Sequence, residues 1–118
     1  MGKILQIRVS AWTYDEDEVS RAWPLLSSFV WAQLDKWGPP GMKHGVTELA
    51  EYLPDALRFG NIDPRCQKIA LENAKNVTTA LESMREALAA WNPREANRQS
   101  EALENALSQC ELTFKNFS

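Results

Sequence analysis

Two apolar seams of the same period constrain this chain more than any other feature. Ala70, Ala74, Val77, Leu81, Met84, Leu88 and Trp91 follow one another at alternating steps of four and three. Ala96, Ser100, Leu103, Leu107, Cys110 and Phe114 repeat that spacing. A series of this kind puts one apolar stripe along a helix. Asn92-Pro93 separates the two stripes. Proline has no N–H to give to a helix interior but suits a first turn, and Asn is a good N-cap. So short a break between matched stripes predicts an antiparallel helical hairpin.

The rest of the chain supplies elements to pack against it. Asp63-Pro64 is a cap followed by a first-turn proline and starts the first seam helix. Upstream, Val19, Trp23, Leu26, Val30 and Trp37 form a broad stripe behind the acidic run Asp15 to Glu18, which suits a helix N-terminus. Pro24 lies inside this stripe and either kinks the helix or marks its start. Gly38-Pro39-Pro40-Gly41 stops it. Val46, Leu49, Ala50 and Leu53 give a shorter helix that Pro54 interrupts before a further turn to Phe59. Leu5, Ile7, Val9 and Ala11 alternate with polar residues and predict a strand. The expectation is a mainly α single domain over residues 1–118. An N-terminal β-strand at about 3–12 is followed by a three- to four-helix bundle, with helices at about 14–37, 46–59, 64–91 and 93–114. Its core is expected to include Val19, Trp23, Leu26, Val30, Val77, Leu81, Met84, Leu88, Trp91, Leu103 and Leu107.

Length and charge exclude several functions. At 118 residues with 44% hydrophobic content, a core forms without disulfides or a structural metal. The net charge is −3, and the 13 basic side chains are scattered among 16 acids, so no nucleic-acid footprint is expected. No apolar run approaches the ~20 residues of a membrane span, and no signal-peptide h-region is evident. Membrane association is not expected, and a cytoplasmic location is. In the hairpin, Cys110 falls opposite about residue 74, leaving Cys66 ~12 Å further along, too far for a disulfide. Two reduced thiols are expected.

One lone strand must find a partner. A second copy, another protein's edge, or a local loop at 42–47 would provide one. Ile7, Val9 and Trp12 on the strand, with Trp31 on the first helix, are therefore candidate interface residues. Five tryptophans support an interaction role. The expected function is a non-catalytic protein–protein interaction module acting as a homodimer, with the strand edge a further place for a protein partner. No cofactor is expected.

Chemistry-bearing motifs are sparse. His44 is the single histidine, and there is no CxxC, HExxH, GxSxG or P-loop. One constellation stands out, because His44, Glu48, Glu51 and Asp55 share a helical face by spacing. Three carboxylates there are candidate Mg²⁺ ligands. In these few residues the chain resembles the all-α nucleotide pyrophosphatases of the MazG and dUTPase type, whose pattern is an EExxE helix and a later ExxD helix. Here Glu48-x-x-Glu51 lacks the doubled Glu, and no ExxD follows. The resemblance implies the alternative function, a small Mg-dependent pyrophosphatase using Glu48, Glu51 and Asp55.

Overall fold

A computed structural model describes residues 5–7, 11–13 and 15–117. Half of the expected strand at 3–12 falls outside these residues, as do Val9 and the side chains of Ile7 and Trp12. In that region the backbones of Leu5–Ile7 (β1) and Ala11–Thr13 (β2) pair antiparallel, Leu5 opposite Thr13 and Ile7 opposite Ala11. The fold is otherwise helical, with five helices among the described residues: α1 (Glu16–Ala22), α2 (Pro24–Trp37), α3 (Val46–Phe59), α4 (Pro64–Ala89) and α5 (Pro93–Asn116). None of them is long and apolar enough to cross a membrane.

The α4–α5 hairpin is the spine, and one bond across it reports its register. Asn73 Nδ2 donates to Thr113 Oγ1 at 2.9 Å. These two residues stand equally far in sequence from Pro93, as a tight antiparallel turn there requires. Asp63 accepts from the Arg65 N–H to cap α4, and Asn92 accepts from the Glu95 N–H to cap α5. The stripes bury Ala70, Ala74, Val77, Leu81 and Met84 against Ala96, Ser100, Leu103, Leu107 and Cys110. α3 lays Val46, Leu49, Leu53 and Leu57 on α4, and α2 adds Leu26, Val30 and Leu34. α3 continues unbroken through Pro54, where the sequence suggested an interruption. At its end Gly60 passes so close to α2 that a Cβ there would run into the Phe29 ring and the Ala56 carbonyl oxygen.

The helix expected over 14–37 is two helices. Trp23 leaves helical geometry, with φ −132° and ψ 67°, and Pro24 opens α2. Trp23 forms no side-chain cap. Pro24 has no N–H, which leaves the amides of Leu25 and Leu26 as orphan donors. Glu111 of α5 accepts both, Oε1 from Leu26 at 2.8 Å and Oε2 from Leu25 at 3.3 Å. The indole N–H of Trp23 donates to Ser108 Oγ, one turn earlier on α5. The hairpin thus caps α2 from outside it, and a carboxylate suits the positive end of the α2 dipole.

The largest departure from the sequence expectation is Trp91. The seam spacing runs on through it, yet α4 ends at Ala89 and Trp91 is 76% exposed. Its N–H donates to Leu88 O, and the Asn92 N–H donates to Ala87 O. This pair of bonds is a Schellman motif, and it places Trp91 at the position that adopts left-handed geometry. Its φ is +56°. Glycine is the usual occupant, and a bulky side chain there is strained by about 1–2 kcal/mol. Trp91→Gly is therefore expected to stabilise the monomer by about 1 kcal/mol, read as a raised urea midpoint at unchanged slope. Leu88 is only partly buried, and Trp37, at the end of its stripe, is also exposed.

Candidate functional site

The three carboxylates expected as metal ligands each serve a local purpose. Glu48 Oε1 reaches back to accept from the Gly45 N–H at the start of α3, and its Oε2 accepts from Thr47 Oγ1. Glu51 reaches across to Arg85 of α4 at 3.5 Å. Asp55 pairs with Arg58 one turn on, at 3.7 Å. His44 leaves them and stacks on Trp31, rings parallel within 9° and centroids 4.3 Å apart. The His44 N–H donates to Glu16 Oε1, which ties the proline-rich loop to α1. Among the described residues no group of three or more His, Cys, Asp or Glu side chains is placed to hold a metal ion.

Both cysteines are free and buried. Burial pushes the Cys110 thiol up to about 12 and also raises Cys66, with the Asp63 carboxylate adding to the latter. A thiol held protonated is a poor nucleophile and a poor metal ligand. It also carries a linkage. Unfolded, Cys110 releases its proton near the ordinary value of 9.0, while the folded chain keeps it to about 12. The unfolded state therefore binds fewer protons across that window, so stability is unaffected below pH 9 and falls between 9 and 12. Unfolding at pH 8 and pH 10.5 checks this, with the parent expected to lose more stability than Cys110→Ala over that interval.

Trp31, proposed from sequence for an interface, is engaged within the chain through the His44 stack and the edge of the core. The side chains presented to solvent are others. Trp91 stands at the hairpin tip, and Phe59, at the end of α3, is 75% exposed. At the far end of the hairpin, Leu25, Phe29, Ile62, Cys66, Phe114 and Phe117 line an apolar cleft of about 310 Å³. The Phe29 and Phe114 rings meet edge to face at 5.3 Å within it. Sequence spacing missed Trp91 because a step of three from Leu88 reads as a continuing helix, and no glycine marks the stop. The signal available was Asn92-Pro93, which forces the helix to end close by.

A second, larger groove of about 560 Å³ lies between α3 and α4, where Arg58 and Lys75 stand beside Leu71 and Thr78. Arg58 already faces Asp55.

No family model matches the chain, and no characterised protein or solved structure matches it.

Proposed function

We propose that this chain is a non-catalytic protein–protein interaction module that works as a homodimer, with Trp91 as its anchor. The observation that carries the reading is the conformation of Trp91. A tryptophan held in left-handed backbone geometry and turned out to solvent costs the monomer stability and contributes no core packing. Strain of this kind collects at functional positions. Tryptophan is also among the side chains that most often dominate binding energy when buried at an interface. A hairpin tip offers it to a partner without disturbing the bundle behind it. Two unpaired thiols suit a reducing, cytoplasmic setting.

The individual roles of Glu48, Glu51 and Asp55 give the Mg-dependent alternative no support. Light scattering over about 1–100 μM, a range that covers ordinary dimer affinities, tests the proposal. A mass rising to twice the 13.4 kDa of the chain is expected. A mass that stays at that of one chain throughout, together with thermal stabilisation by Mg²⁺ and a nucleotide, would contradict the interaction reading and favour the enzyme.

A further inference from the structure

We propose that the groove between α3 and α4 is a binding site for a small phosphate monoester with an apolar body, anchored by Arg58 and Lys75. The site shares no residue with the hairpin tip and stands whether or not two chains pair.

The charge of the groove runs against that of the chain. The chain carries a net charge of −3, yet the charged side chains lining the groove are two cations, Arg58 and Lys75, and no acid. α4 supplies Lys75, Thr78 and Thr79, whose spacing of three and four places them on one helix face. α3 supplies Arg58 from the opposite wall. Among the described residues Lys75 forms no ion pair. Ser108 and Thr113 spend their hydroxyls on the carbonyls one turn earlier. Those of Thr78 and Thr79 have no hydrogen-bond partner among the described residues. Arg58 faces Asp55, but at 3.7 Å the contact is too long for a hydrogen bond, and both side chains are exposed. A pair of this kind is weak, and it leaves the guanidinium donors unspent.

Two cations and two hydroxyls select the anion. A phosphate monoester carries close to two negative charges at neutral pH and offers three acceptor oxygens. It can meet lysine as a point charge, arginine as a fork and both threonines as O–H donors. A carboxylate or a sulfate ester brings only one charge. The rest of the lining selects the body. Leu71, Ala74 and Pro54 give the groove an apolar side, and its volume of about 560 Å³ lies within the range of small-molecule sites. A bare phosphate would leave most of that space and all of that apolar surface unused. Pro54 is a costly wall, because a proline inside a helix gives up one backbone hydrogen bond. α3 nevertheless runs through it, and the residue lines the groove and is absent from the buried core.

The test titrates the ¹⁵N-labelled full chain with phenyl phosphate, in EDTA so that no metal contributes, and follows the amide resonances. Saturable shifts are expected at Arg58, Leu71, Lys75, Thr78 and Thr79. Phenyl sulfate has the same shape and one charge less, and is expected to bind about 10-fold more weakly. Inorganic phosphate is also expected to bind more weakly than phenyl phosphate, and phenol not at all. Arg58→Gln and Lys75→Met are each expected to weaken phenyl phosphate about 10-fold. Asp55→Asn removes the competing carboxylate and is expected to tighten binding about 2-fold, a gain that a structural role for Arg58 alone would not produce. Arg58 and Lys75 are exposed, so the variants are expected to fold, and thermal melts check this. No saturation up to about 20 mM, or shifts confined to other residues, would overturn the site. Equal affinity for phenyl sulfate would overturn the phosphate assignment. Arg58→Gln and Lys75→Met binding as the parent does would overturn the anchors. A phosphotyrosine pentapeptide that binds far more tightly than phenyl phosphate would overturn the small-molecule assignment and give the groove to a phosphorylated protein.

Discussion

Leu81→Asp is expected to leave the chain unfolded at 25 °C. Leu81 is buried on the seam where α4 faces α5 and belongs to the central cluster. Removing its side chain costs about 2–5 kcal/mol by analogy with other core leucines. Burying a carboxyl with no partner costs several more, whether it stays charged or takes up a proton. A domain of this length has about 6–18 kcal/mol of stability in total, and mesophilic domains sit mostly in the lower part of that range. Far-UV circular dichroism should show loss of most helical signal. Leu81→Met, which conserves volume, should cost less than about 1.5 kcal/mol and stay folded. If the Asp variant melts with the parent, the α4–α5 seam is wrongly placed.

The second large effect is at Glu111, and it tests a feature that no local pattern could announce. Glu111 is only 4% exposed and accepts two backbone N–H groups at the start of α2. Glu111→Ala leaves both donors without their acceptor, one of them in a fully buried residue, Leu26. The expected loss is about 2–3 kcal/mol, the sum of a lost cap and an unsatisfied buried amide. That corresponds to a midpoint lowered by roughly 8–12 °C for a domain of this size. Glu111→Gln keeps one carbonyl oxygen for the amides and should lose about 1 kcal/mol. If Ala and Gln cost the same, the hydrogen bonds are not what the side chain contributes.

These two residues mark the boundary of what the sequence reveals. Leu81 was legible because helix periodicity is a local property and its partner stripe had the same period across a two-residue break. The caps at Asp63 and Asn92 were legible for the same reason, since a cap and its first-turn proline are neighbours in sequence. Glu111 was not, because it lies beside the seam residue Cys110 and gains its role only when the fold brings the Trp23–Pro24 break against α5. Pro24 itself showed that something happens there without saying whether the helix bends or restarts. Proline disfavours helical geometry at the residue before it, and in the non-helical conformation Trp23 adopts, its indole N–H donates to Ser108. Arg85 illustrates the same limit. Its spacing from Glu82 suggests a pair along α4, whereas the side chain reaches Glu51 on α3.

The acidic face of α3 shows how spacing misleads about chemistry. Glu48, Glu51 and Asp55 do fall along one helix, but each has a nearer task in capping the helix or meeting an arginine. A shared face is a weaker condition than convergence on one point, and metal binding needs convergence. Trp91 fails in the opposite direction. Its spacing suggested a core position, and the backbone turned it outward. The sequence gives no glycine where left-handed geometry is needed, so the outlier is visible only in three dimensions.

We infer that Trp91 is kept for association at the expense of the fold. Sedimentation equilibrium of the parent and Trp91→Gly, run side by side with urea unfolding at dilutions where both are single chains, tests it most directly. The parent is expected at twice the chain mass, and Trp91→Gly at the chain mass with a higher urea midpoint. A glycine variant that dimerises as the parent does, or that unfolds in less urea, would contradict the claim and return Trp91 to an ordinary structural role.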